Sequence, residues 1–206
     1  TDVARAVILF YVTPVWSTIL ELLFLKRRMT KARSLALILG LAGLITILGG
    51  RTGLPLPQNT GDTQALLSGV VWAFGSLCIR KWSEVVTFVN VFSFFLFGSV
   101  VALCLVVVLP GEVIGTPPDS AVIKDLFLGL VLAAVAFMIP VMWGLLWGAK
   151  HLDPGRLGIL LQMEAVVGIG SAALLTDEPF GAVEVLGTLL VIGAGVADVL
   201  GSRNPL

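Results

Sequence analysis

The stretch FYVTPVWSTILELLFLKRR, residues 10–28, decides the fold. It is an apolar run closed by a basic cluster and interrupted by Pro14 among the hydroxyls of Thr13, Ser17 and Thr18. A bilayer core about 30 Å thick is crossed by about 20 helical residues. Ala6–Leu25, which contains this run, is long and apolar enough to do so. Lipid offers the backbone no hydrogen-bond partners, so a spanning segment is a helix or part of a closed barrel. Barrel strands alternate in polarity; runs such as VALCLVVVLP and LVLAAVAFMIP do not.

Reading outward from this first span, A, gives six more: B, Ser34–Gly50; C, Ala65–Ile79; D, Val85–Leu109; E, Leu126–Ala149; F, Leu157–Leu175; and G, Val183–Leu200. The breaks carry turn chemistry: RTGLPLPQNTGD, PGEVIGTPPDS and HLDPGR. The expected fold class is an all-α integral membrane protein with seven transmembrane helices, and little is left outside the spans. Composition agrees. Of 206 residues, 57% are hydrophobic and 13% charged, with a mean hydropathy of +1.03. A soluble domain carries about 25% charged residues, so a soluble enzyme and a disordered chain are both excluded. The formal net charge of zero removes the field that would draw in nucleic acid. Cys78 and Cys104 lie in apolar runs and read as two small buried hydrophobes; no cofactor or metal set is expected.

Basic residues concentrate on the cytoplasmic side of a membrane. With seven crossings, one side receives Lys26, Arg27, Arg28, Lys31, Arg33, Arg80, Lys81, Lys150, Arg156 and Arg203, and the other only Arg5, Arg51 and Lys124. This partition places the C-terminus in the cytoplasm and suits an inner (plasma) membrane.

Shifting the chain by 150 residues lays FYVTPVWSTILELLFL (10–25) on LLQMEAVVGIGSAALL (160–175), Pro14 on Glu164 and Gly43 on Gly193. Span A then pairs with F and B with G, a period of five helices. An odd period inverts the second copy, the architecture of many secondary transporters. Residues 62–203 form a complete second five-helix repeat and residues 1–53 the last two helices of the first. Three helices are therefore expected before Thr1, and the chain reads as part of a ten-helix inverted-repeat bundle.

The pattern in residues 10–28, followed by RSLALILGLAGLITIL, Val71–Ala73 (VWA) and the run Leu160–Val196, resembles the drug/metabolite transporter superfamily, in particular its EamA-like exporters. The resemblance covers essentially the whole chain; Ala165 stands where relatives often have proline after the glutamate. It implies a carrier, often an exporter of amino acids or other small metabolites, working by alternating access.

Within the spans a few residues could carry that work. Glu164 lies inside span F, where a carboxylate costs about 2.5–3.5 kcal/mol and should face protein or a wet cavity. It could meet a cationic group of the substrate or take a coupling proton, or else tie two helices together. Tyr11, Pro14, Thr18 and Glu21 are spaced to share one face of span A, read as cavity-lining, with packing against another helix as the alternative. Trp72, with Ser76 one turn on, and Trp143 are the aromatic candidates, because a buried indole N–H needs a partner. Trp82 and Trp147 read as interfacial anchors, and His151 as a solvated loop residue. The expected substrate-binding set is Tyr11, Pro14, Thr18, Trp72, Ser76, Trp143 and Glu164, suited to aromatic or apolar amino acids. The partners are that small molecule, the lipid bilayer and, if Glu164 titrates, a proton. A lone edge histidine argues against an intramembrane enzyme. A non-transporting structural or sensory membrane subunit is the alternative, disfavoured by the inverted repeat.

Overall fold

The computed structural model describes residues 3–26, 29–49, 56–109, 118–175 and 181–202. Every regular element among them is helical. In chain order these are α1 (Val3–Phe10), α2 (Thr13–Phe24), α3 (Lys31–Gly49), α4 (Thr60–Lys81), α5 (Thr87–Val108), α6 (Ser120–Ala133), a π-helical turn (Ala134–Met138), α7 (Ile139–His151), α8 (Pro154–Leu161), α9 (Met163–Leu175) and α10 (Ala182–Ser202).

Five stretches are long and apolar enough to cross a bilayer: Ala6–Phe24, Thr60–Lys81, Thr87–Val108, Ser120–His151 and Ala182–Gly201. They correspond to spans A, C, D, E and G. Span B is α3, and span F is two helices, α8 and α9, rather than one. Span C is longer than hydropathy suggests, because polar residues extend it at both ends. Asn59 Oδ1 accepts from the Asp62 N–H (2.8 Å) and Asp62 Oδ2 from the Gln58 N–H (2.9 Å), a reciprocal cap that starts α4. Arg80 and Lys81 complement its C-terminal dipole. In span E, Pro140 has no N–H for the carbonyl four residues back, at Ala136, and the helix widens there into the π turn.

By packing, the chain forms two compact units, residues 1–81 with 152–206, and residues 82–151. This division cuts across the repeat boundaries read from sequence. In the first unit α3 and α10 run antiparallel along their length, Ala32 beside Gly201 and Gly43 beside Gly187 and Val191. Two apolar clusters hold them: Tyr11, Leu44, Ile47 and Val191, and Ala36, Leu37, Ile159 and Ala194. Helix α2 packs on α8 and α4, and α1 on α4 and α3. In the second unit α5 packs on α7. Its apolar side chains are largely bare, Phe97 at 65% and Val107 at 84%. The cysteines differ from expectation: Cys104 is exposed and Cys78 half-buried. His151 is not in a loop. It ends α7, donating Nδ1–H to the Trp147 carbonyl (2.7 Å) with its ring 4.3 Å from the indole.

Candidate functional site

Two helices of the first unit are interrupted, and they are interrupted at equivalent places. Between α1 and α2, Val12 N–H donates to the Leu9 carbonyl (3.4 Å) and Val15 N–H to the Val12 carbonyl (2.9 Å). Between α8 and α9, Gln162 N–H donates to Ile159 (3.2 Å) and Ala165 N–H to Gln162 (3.2 Å). Adding 150 to each residue of the first pair gives the second. Both breaks are single tightened turns with i→i−3 bonds, poorer in geometry than the α pattern and common where a helix is hinged.

The first break has a visible cause. Pro14 cannot donate to the Phe10 carbonyl, and Thr13 Oγ1 donates to that carbonyl instead. Helix α4 covers the gap closely. A side chain at Gly69 would lie 2.9 Å from the Phe10 carbonyl oxygen and 2.8 Å from Thr13 Oγ1, so only glycine admits this approach. Ala73 and Ser76 continue that face and are buried, Ser76 donating to the Ala73 carbonyl at 2.8 Å.

Helices α2 and α8 cross next to these breaks. A Cβ on Gly158 would stand 2.8 Å from Pro14 Cα, and one on Gly155 would stand 2.6 Å from Thr18 Oγ1. Where the sequence suggests a cavity-lining stripe, Pro14, Thr18 and Glu21 are therefore taken up by contact with α8. Tyr11 sits at the first break, 7% exposed, and Glu164, in the first turn of α9, is its charged neighbour. Glu164 itself is exposed. Tyr11 and Glu164 thus stand one at each break. Trp72 is half-buried on α4, one turn from Gly69. Trp143, 41% exposed, belongs to the second unit.

Sequence reasoning missed Gln162. It is 1% exposed and neither amide atom has a partner among the described residues. Its Oε1 occupies the notch left by Gly40 of α3, 2.1 Å from where a Cβ would be. A buried amide without partners costs free energy. The signal was available in sequence: Gln162 is a polar residue two positions before Glu164 in an apolar span.

Sequence reasoning also missed a buried charge network at the end of this unit that bears the basic A–B turn. Glu21, fully buried, pairs with Arg33 and accepts from the Gly155 N–H at 3.1 Å. Asp198, 3% exposed, takes Arg33 Nε at 3.5 Å and Arg156 Nε at 2.9 Å. Arg80 Nε meets Asp153, the N-cap of α8, at 3.4 Å nearby. The Gly155 bond puts the Glu21 carboxylate at the positive end of α8, where an anion is stabilised. An acid inside apolar span G (Asp198) was the readable clue. A groove of about 820 Å³ beside α3 and α10, lined by Leu35, Leu39, Val196, Leu200 and Lys31 among others, contains none of the residues at the two breaks or in the charge network.

These features define a polytopic helical membrane protein whose two interrupted helices meet around a polar pair. Comparison with known proteins makes the class specific. The model of the EamA-like transporter family matches residues 1–49 and 59–197. The chain belongs to that family, and so to the drug/metabolite transporter superfamily, and is a multi-pass membrane transporter. A solved structure described as "Crystal structure of protein" superposes with a TM-score of 0.76 at 21% identity, over 98% of this chain and 69% of that one. At that identity the likeness concerns the fold alone. A ten-helix inverted repeat is compatible with it. No curated protein sequence matches the chain.

Proposed function

We propose that this protein is a secondary carrier that exports small metabolites, in particular amino acids with aromatic or apolar side chains, by alternating access. The reading sets it in an inner (plasma) membrane with the C-terminus cytoplasmic, as half-inverted repeats of a ten-helix bundle. Residues 1–53 close the first repeat and residues 62–203 form the second.

One observation carries this reading: two helices 150 residues apart break in the same hydrogen-bond register, with Tyr11 at one break and its charged neighbour Glu164 at the other. Interrupted helices at a repeat interface are where such carriers bind substrate, since the freed backbone and a membrane-embedded acid can replace water around a polar group. Glu164 meets the substrate ammonium and exchanges it for a proton. Tyr11 positions the carboxylate, and Trp72 provides apolar surface on α4, one turn before the Ser76 hydroxyl. Pro14 and Thr18 act through the α2–α8 contact that sets the break rather than by touching substrate.

The test is counterflow of tryptophan and of phenylalanine in liposomes containing the full-length protein. Glu164→Gln is expected to reduce exchange about tenfold, the loss of one charge contact worth about 1.4 kcal/mol, and to flatten its pH dependence. An unaltered rate and pH profile in that variant removes the carboxylate from the mechanism. Tyr11→Phe keeps the ring and removes the hydroxyl, and a smaller loss is expected.

A further inference from the structure

We infer that Glu21, Arg33, Asp198 and Arg156 form a latch that closes one end of the carrier, and that the positions equivalent to them under the 150-residue shift carry no ionisable set. The inference rests on the alternating-access reading above. It concerns which end is held by ions, not what is carried.

The four residues come from four helices, α2, α3, α10 and α8. Two belong to the A–B pair and two to the F–G pair, so each ion pair except Glu21–Arg33 joins one repeat half to the other or closes within the second half. The charges balance, two acids against two bases. The group is nearly dry: Glu21 is 0% and Asp198 3% exposed. Arg156 is its wettest member, with its side chain 26% exposed.

The repeat relation provides the contrast. Shifted by 150, Glu21 falls on Ser171, Arg33 on Val183, Arg156 on Ala6 and Asp198 on Leu48. None of these is ionisable. The backbone keeps the pseudo-symmetry at the breaks, while the side chains abandon it at the ends.

Ion pairs suit a closure that must also open. In a dry contact the loss of hydration roughly offsets the Coulomb attraction. When the end opens, water replaces the partners, so the paired-dry and separated-wet states lie close in free energy. An apolar plug has no such compensation, because opening exposes it to water at full cost. Gly155 adds direction to the device: its N–H holds Glu21 only while α8 is seated on α2. Moving α8 away breaks that bond and the Asp198–Arg156 pair together.

The test uses the full-length protein with Cys78→Ser and Cys104→Ser, in membrane vesicles of either orientation. Thr18→Cys reports the latched end and Ser171→Cys the opposite one, each by its rate of labelling with a membrane-impermeant maleimide. Asp198→Asn is expected to speed labelling at position 18 about tenfold from the latched side, the effect of shifting the closed–open balance by one decade. Labelling at position 171 holds or falls. Asp198→Glu, which retains the charge, stays slow. Should Asp198→Asn fail to accumulate, Arg156→Gln at the wetter corner gives the same readout. Equal acceleration at both ends is general loosening and overturns the latch, as does no change at position 18. Tryptophan counterflow by the parent protein in the same vesicles separates the two readings. Counterflow without a side-specific labelling change leaves the carrier and removes the latch. The labelling change without counterflow leaves the latch and removes the substrate assignment.

Discussion

The two interrupted helices reach one backbone geometry by different chemistry. At the α1–α2 break a proline withdraws a donor and Thr13 repairs the orphaned carbonyl. At the α8–α9 break the position equivalent to Pro14 is Glu164, which has its N–H, yet the same two i→i−3 bonds form. Nothing local demands the second break. It is set by packing: Gly158 lies against Pro14, and Gln162 is pressed into the Gly40 notch. One interruption is therefore written in the sequence and the other is imposed by its neighbour. A like contrast can be drawn between other positions 150 residues apart, and each comparison can be tested by changing one residue at a time.

The largest effect is expected at the charged end. Glu21→Ala leaves Arg33 with only the 3.5 Å contact to Asp198 and the α8 N-terminus without its acceptor. Removing one partner of a buried pair costs about 3–5 kcal/mol. Its mate Ser171, exposed and bonded only to the Gly168 carbonyl, should change stability by less than about 0.5 kcal/mol as Ser171→Ala. Unfolding of both variants in lipid nanodiscs, read by thermal shift, checks the difference; equal losses would break the comparison.

Next come the glycine mates of α3 and α10. A methyl at Gly43 would meet the Gly187 carbonyl oxygen at 2.7 Å and the Val191 nitrogen at 2.9 Å, whereas at Gly193 its nearest contact is Leu39 at 3.9 Å. Gly43→Ala should destabilise by about 1–3 kcal/mol through overpacking against backbone. Gly193→Ala should stabilise by about 0.5–1 kcal/mol, since alanine orders a helix more readily. The same thermal measurement, run on both single variants, would show the two signs.

Gln162 sharpens the contrast between function and stability. Gln162→Met keeps the volume and removes two buried polar atoms that have no protein partner. A gain of about 1–2 kcal/mol is expected, within the range of relieving an unsatisfied group. A loss on that substitution would mean that a partner holds the amide in the membrane. The smallest effect is at the end of α2. Lys26 adopts φ 52°, a conformation that costs a non-glycine residue about 1 kcal/mol. Lys26→Gly should recover most of that, seen as a small rise in melting temperature.

How much of this was legible varies with the kind of information each feature needs. The spans were legible because burial in lipid depends on composition along a single segment. Some ends shifted, as in α4, where a polar cap extends the helix beyond its apolar part. Span F was read as one rod because nothing in its sequence breaks a helix. Glu164 stands out in the sequence as an acid inside an apolar run, and Tyr11 as a residue that shares a face with Pro14. Their proximity was not legible, since it joins residues far apart in the chain. The same holds for the charge network. Arg33 reads as one more member of a basic turn, and Glu21 as part of a polar stripe. Only the fold makes them partners.

The sequence alone determined that this chain lives in a bilayer and that its membrane segments are helices. These follow from hydropathy and its spacing, which act along the chain. Tertiary structure alone decided where span F breaks, which acid meets which base, and which glycines are indispensable. Those depend on contacts of a few ångströms between helices that linear order leaves unpaired.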